Sequence, residues 1–571
     1  MLTSLTIRNF KLFDEVEIEL ADRVVFVGPN NSGKTSALQA LALWHAGVRR
    51  WVEKRGAGVP KERAGVTINR RDLIALPVPS ANLLWRDLHV REGYKDAGRQ
   101  KTKNILVEID VEGIDKGETW AASLEFDYAN EESFYCRSRV GPNGTRFEVP
   151  ATAAELRLAY LPPMSGLASN ETRLDEGAID VRIGEGRTAE VLRNLCWQVQ
   201  ERDAASWQRI VERMRGLFGV TLDEPRYIKE RGEIVQSFRT SGGIVLDLSA
   251  SGRGQQQTLL LLAHMAANPG AILLLDEPDA HLEILRQRQI YQVLTETAAE
   301  TGSQIIAASH SEVILNEAAD RDTVVAFVGK PHRIDDRGSQ VQKALKEIGF
   351  EHYMQAEETG WVLYLEGSTD LAILRAFAEK LVHPARALLE RPFVHYVANQ
   401  PSKAQAHFYG LREAKRDLLG VAIYDRLDSP LPSDENLTQQ MWRRREIENY
   451  LCQEATLLAW AEAEGRKQAG DLFAVTWREA MQSAIQEIRS ALAALAKPEP
   501  GSPDLKASDD FLDPLFRKFY ESQKLPDLMR KTDYHTLASS VPADGLDVEV
   551  REKLDAIVEV AGRARPGGGD A

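Results

Sequence analysis

GPNNSGKTS, Gly28 to Ser36, stands directly behind the apolar run VVFV and directly ahead of SALQALAL. A buried strand, a glycine-bearing turn and a helix in that order match the phosphate-binding pattern G-x4-G-K-[ST]. The spacing has a physical reason. Glycine lets the backbone curl so that the N–H groups of Asn30, Asn31, Ser32, Gly33 and Ser36 face phosphate oxygens at a helix N-terminus. Lys34 then reaches the β- and γ-phosphates, and the Thr35 hydroxyl is placed to hold Mg²⁺. The stretch predicts an α/β fold that binds ATP.

Three further stretches follow in the order that nucleotide hydrolysis uses. LLLDEP (273–278) is an apolar strand ending in two acids, with Asp276 a metal ligand and Glu277 the group that polarises the attacking water. DLSASGRGQQQTLLLL (247–262) sets Ser251, Gly252 and Gly254 at the start of a long apolar helix, where small residues close on phosphate oxygens. AASHSEVIL (307–315) ends a buried strand in His310. Together these resemble the signature, acid and switch motifs of ABC-type ATPases of the SMC, RecF and OLD class, although the signature departs from the common LSGGQ wording. The resemblance implies that His310 contacts the γ-phosphate. It also implies a homodimer or higher homo-oligomer, with two signatures closing on two ATPs and Asp279 and His281 communicating across the interface.

Composition sets bounds around these motifs. The chain has 571 residues, 43% apolar and 27% charged, which suits a globular protein of three or four domains. A net charge of -14 argues against general affinity for nucleic acid, while RRWVEKR (49–55), KERAGVTINRR (61–71) and WRRRE (442–446) leave room for a local basic groove. The opening MLTSLTIRNF lacks the basic flank and apolar core of a secretory signal, and no apolar run is long enough for a bilayer. Cys136, Cys196 and Cys452 show no paired spacing. The expected location is the cytoplasm, away from membranes.

A second α/β rhythm begins at WVLYLEGSTDLAILRAFAEKL, after a break expected at 345–360. LYLEGSTDLAILRAF (363–377) ends a strand in Glu366 and opens a helix behind Asp370, and VAIYDRLD (421–428) is an apolar strand delivering Asp425 and Asp428. These resemble the two acid motifs of the Toprim domain, a metal-dependent phosphodiester-cleaving module. Clustered carboxylates suit that chemistry because Mg²⁺ or Mn²⁺ must neutralise charge on the scissile phosphate. WRRREIENYL (442–451) adds Glu448 as a further ligand and Arg443 to Arg445 as phosphate contacts, and RKTDYHTLASSVP (530–542) supplies Lys531 to steady the pentavalent phosphate. Toprim domains usually read D-x-D at the second motif; here Leu427 holds the second acid's position, with Asp428 next to it.

The order of both motif sets resembles the OLD (overcoming lysogenisation defect) family of bacterial ATPase–nucleases of anti-phage defence. It implies an α/β chain with an ABC/SMC-like P-loop ATPase domain over 1–350, carrying an inserted α/β lobe at about 50–245. A Toprim-like α/β domain with C-terminal helices follows over 358–560, then a disordered tail over 561–571. The expected activity is ATP hydrolysis controlling a metal-dependent endonuclease on DNA. Two alternatives stay open: an ATPase scaffold that binds a separate defence effector through a degenerate Toprim domain, and a RecF-like repair ATPase.

Overall fold

The computed structural model describes residues 1–571 except 58–64, 71, 72, 74, 75, 77, 97, 98, 169, 320, 335–347, 543, 544 and 568–571. It divides into two compact units, Met1–Gly338 and Ser339–Ala571.

The first unit is built around helix Lys34–Arg55, which lies between two six-stranded sheets. One sheet is antiparallel and starts from the hairpin of Leu2–Phe10 and Phe13–Glu19, whose alternating apolar residues face inward. The other runs Leu158–Leu161, Ile272–Asp276, Gln304–Ser309, Arg23–Val27, Thr323–Ala326 and His332–Arg333, parallel except for the last strand. Strand Ile272–Asp276 is buried along its whole length, so its period-two alternation feeds two cores. Ile272 and Leu274 pack toward helix Lys34–Arg55, while Leu273 and Leu275 pack toward helices Leu192–Arg202, Ala204–Phe218 and Arg253–Ala267. Truncating a leucine at either face removes about 2–5 kcal/mol.

The stretch expected as an inserted lobe or dimerisation region, about 50–245, contributes strands to both sheets. Val107–Asp115 pairs with Leu2–Phe10, and Leu158–Leu161 pairs with Ile272–Asp276. The helical block near 188–218 is interrupted at Asp203, whose carboxylate accepts from the N–H groups of Ala205 (3.0 Å) and Ser206 (3.1 Å) and so caps the second helix. Its apolar face, including Trp207, Ile210 and Met214, lies in the core.

The second unit holds a four-stranded parallel sheet in the order Val394–Tyr396, Trp361–Leu365, Leu419–Tyr424 and Leu437–Met441. Leu363, Leu365, Val421 and Ile423 face a core completed by the C-terminal helices. Helix Phe350–Thr359 occupies the stretch expected as a domain break, whose first residues, 345–347, lie outside the described ones. The expected disordered tail begins inside helix Val548–Arg563, and the Gly567 N–H donates to the Glu357 carbonyl at 2.5 Å; residues 568–571 lie outside the described ones.

Candidate functional site

The turn Gly28–Gly33 leaves strand Arg23–Val27 and enters helix Lys34–Arg55. A Cβ on Gly28 would sit 2.7 Å from the Phe327 carbonyl oxygen and 2.8 Å from Ser32 Oγ. Gly33 has φ +103°, and a Cβ there would meet the Phe13 ring at 2.8 Å. Buried Lys34 donates from Nζ to the carbonyls of Gly28 and Pro29, each at 2.7 Å. Ser32 Oγ is buried without a hydrogen-bond partner among the described residues. A cradle with no room for side chains, an orphaned hydroxyl and a buried cation fit a bound triphosphate.

Across the sheet, Asp276 ends strand Ile272–Asp276 and accepts from Thr35 Oγ1 at 3.1 Å and from the Tyr160 hydroxyl at 3.3 Å. Burial foremost, with the Glu277 charge beside it, pushes Asp276 up to about 6. Glu277 takes φ +49°, an unfavourable conformation for a side-chain-bearing residue, and its N–H is tied to the Ala308 carbonyl at 2.8 Å. His310 Nδ1 lies 3.7 Å from Glu277 Oε1. Asp279 accepts from Ser309 Oγ at 2.8 Å, and His281 also has a positive φ, +65°. Thr35, Asp276, Glu277 and His310 therefore come together at one edge of the sheet. Tyr160 is the residue the sequence reading lacks, since nothing in RLAYLPP marks it.

In the signature stretch, Ser251 Oγ donates to the Leu248 carbonyl at 2.6 Å, and Gly252 is the exposed N-cap of helix Arg253–Ala267. Gly254 packs on the segment after the acids, where a Cβ would stand 3.1 Å from the His281 carbonyl. Ser251 and Gly252 thus lead the helix start, and Gly254 sets it against the segment that follows strand Ile272–Asp276.

The second unit gathers a different set. Strands Trp361–Leu365 and Leu419–Tyr424 are parallel neighbours, so the residues that follow them, Glu366 and Asp425, leave the sheet at the same edge. Burial foremost, then the neighbouring Glu366 carboxyl and the charges of Asp370 and Glu448, push Asp425 well above the carboxylate range. Asp370, in the first turn of helix Ser368–Lys380, accepts from the Gly367 N–H at 2.8 Å and is pushed up to about 6, chiefly by burial. Glu448, buried in the turn Ile447–Tyr450, rises to about 7 through burial and the Glu446 charge. Lys531 Nζ stands 3.9 Å from Glu448 Oε1; burial lowers its pKa, yet Glu448, Glu446, Asp509 and Glu366 leave it raised. Four carboxyl groups and one ammonium from four separate stretches thus share one locality.

Two sequence expectations meet a different arrangement. Asp428 is exposed, beyond a turn in which the Arg426 N–H donates to the Arg445 carbonyl and the Leu427 N–H points at Met441 Sδ. Arg443 and Arg444 are engaged within the fold, Arg443 with Glu552 at 2.6 Å and Arg444 over the Tyr450 ring. Glu446 is structural, accepting from the Ser508 N–H, while the Asn449 side chain caps the turn from the other side. All three cysteines are buried and free.

Comparison with known proteins bears on the first unit. Residues 1–47 match the family described as an AAA ATPase domain, and residues 176–316 match the one described as an AAA domain, putative AbiEii toxin, type IV TA system. The first span contains the phosphate turn; the second contains the signature, both acids and His310. The zinc import ATP-binding protein ZnuC of Brucella suis is 23% identical over 278 residues, covering 47% of this chain and 84% of that protein, and ZnuC of Brucella abortus gives the same figures. The SMC head domain from Thermotoga maritima overlaps 58% of this chain and 98% of its own at a TM-score of 0.31 and 17% identity. The Pyrococcus furiosus Smc head with an extended coiled coil, bound to the C-terminal domain of ScpA, overlaps 61% and 99% at 0.35 and 14%. The fold, the site and the family matches make the first unit an ATP-binding P-loop ATPase of the AAA/ABC type. Among the described residues no helix is long and apolar enough to cross a membrane.

Proposed function

We propose that this chain is an ATP-controlled, metal-dependent endonuclease of the OLD type, acting on DNA in bacterial anti-phage defence. Its second unit serves as a Toprim nuclease domain. The observation that carries this reading is that two parallel neighbouring strands deliver Glu366 and Asp425 at the same sheet edge, with Asp370, Glu448 and Lys531 around them. Carboxyls held so close repel one another when ionised, an arrangement that favours a divalent cation. Mg²⁺ or Mn²⁺ bound there supplies neutralisation of charge on the scissile phosphodiester. Glu366 and Asp425 hold the ion, Asp370 and Glu448 complete its acidic surroundings, and Lys531 steadies the charged phosphate. The exposed Asp428 takes no part. In the first unit Lys34 and the Asn30–Ser36 turn bind ATP, Thr35 and Asp276 hold its Mg²⁺, Glu277 orients water, and His310 reads the γ-phosphate. The exposed starts at Ser251 and Gly252 of two copies close on two nucleotides, so that ATP makes a homodimer.

The test is supercoiled plasmid incubated with the purified chain, ATP and Mg²⁺ or Mn²⁺. The wild type nicks or linearises it; Glu366→Ala does not, while still hydrolysing ATP. Equal cleavage by that variant overturns the nuclease assignment.

Leu427 at the second acid position supports a second reading, in which the domain holds a separate defence effector. A chain that binds ATP and leaves plasmid intact with either metal favours it.

A further inference from the structure

Three elements of the second unit bring histidines together on the sheet face that carries Tyr364. His352 lies on helix Phe350–Thr359, His395 on the edge strand Val394–Tyr396 and His407 on helix Pro401–Ala414. A ring nitrogen of each lies within 4.8 Å of those of the other two. His352 Nδ1 stands 2.8 Å from His407 Nε2, and the rings of His395 and His407 stack with centroids 3.8 Å apart. Tyr364 pairs with His395 in the sheet register, and its hydroxyl lies 2.9 Å from His407 Nδ1. Mutually close imidazoles disfavour one another's protonation. Burial first, then His395 and His352, pulls His407 down to about 3, and burial with His352 also lowers His395. The rings of His395 and His407 are therefore neutral near pH 7, each with one lone pair to give.

We propose that His352, His395 and His407 form a binding site for a divalent transition metal of the Zn²⁺ class, distinct from the carboxylate cluster and independent of the nuclease reading. Tyr364 is its positioning residue. Accepting the His407 Nδ1 proton, its oxygen fixes the tautomer that turns the Nε2 lone pair toward the other rings. Nitrogen donors select Zn²⁺, Co²⁺ or Ni²⁺, whereas carboxylates suit Mg²⁺ and Mn²⁺. Zn–N bonds of about 2.0–2.1 Å in tetrahedral geometry separate ligand nitrogens by roughly 3.3 Å. His352 and His407 open slightly to admit the ion, and the His395 ring turns out of its stack. His352 and His395 are half-buried, which leaves a route in from solvent. Once bound, the ion ties two helices to the edge strand, beside the strand that delivers Glu366.

The experiment uses tag-free full-length chain, stripped with chelator and titrated with Co²⁺ in excess Mg²⁺, which occupies oxygen sites. Bound metal per chain and the visible ligand-field spectrum are read. The expected result is one equivalent of Co²⁺ with a nitrogen-ligand spectrum, displaced by Zn²⁺, retained in Glu366→Ala and lost in His352→Gln and His395→Gln. Tyr364→Phe should weaken affinity by about 10–100-fold. His407 is the more buried ligand, so the two half-buried positions carry the test if His407→Gln does not fold. Absence of a tight equivalent in the wild type overturns the proposal. So does undiminished binding in both folded histidine variants, or loss of binding in Glu366→Ala.

Discussion

Thr35 Oγ1 donates a hydrogen bond to Asp276 Oδ1 at 3.1 Å across 241 residues of sequence. The first residues of a helix and the last of a distant strand thereby meet at the place proposed for the Mg²⁺ of ATP. Asp276 is raised to about 6, so its carboxylate takes up a proton as pH falls through that value and, in the proposed role, would lose its hold on the cation. ATP hydrolysis at subsaturating Mg²⁺ should therefore fall steeply below about pH 6. Asp276→Asn should remove that pH step together with most of the activity, read as steady-state phosphate release.

The roles proposed for Glu277 and His310 can be separated kinetically. Glu277→Gln should slow hydrolysis by about 10²–10⁴-fold, the usual contribution of a positioned general base, while nucleotide binding persists. His310→Ala should lower turnover by about 10²-fold with little change in ATP affinity. Fluorescent-nucleotide binding beside phosphate release separates the two quantities.

The exposed start of helix Arg253–Ala267 predicts assembly through nucleotide. Sedimentation of Glu277→Gln with ATP and Mg²⁺ should show a dimer that is absent with ADP. Adding Ser251→Arg, which sets a long side chain on a surface meant to meet phosphate, should keep the chain monomeric.

The acids of the second unit carry a stability cost with a definite sign. Asp370 and Glu448 are raised to about 6 and about 7, above their ordinary values of 3.8 and 4.5, and Asp425 is raised further. Between the unfolded and folded values the native state holds more protons than the unfolded one, so stability falls as pH rises from about 4 to 7. Asp425→Asn should accordingly raise the melting temperature by about 2–4 °C near pH 8, an effect of about 1 kcal/mol. Mn²⁺ should stabilise the wild type there and lose that effect in the variant, as followed by calorimetry.

How legible the site was differed between the units. GPNNSGKTS and LLLDEP could be read because strand, turn and helix are local and the chemistry sits in consecutive residues. Tyr160 could not, because its contact with Asp276 depends on Leu158–Leu161 joining the parallel sheet across 116 residues. The same non-local pairing lets 50–245, which reads as an insertion, contribute strands to both six-stranded sheets. In the second unit, Glu366 and Asp425 could be placed together because both end apolar strands. The exposure of Asp428 could not be read, because the path of the turn after Asp425 is set by contacts with Arg445 and Met441, which periodicity does not encode. The three histidines carry no motif spacing at all; only the packing of two helices on one sheet face brings them within reach.

Crystals of the chain soaked in Mn²⁺ and read by anomalous scattering address the carboxylate pocket directly. The account predicts a peak at bonding distance from both Glu366 and Asp425, lost in Glu366→Ala. Anomalous signal confined to the Thr35–Asp276 region, with the two carboxyls free of metal at saturating Mn²⁺, would contradict it.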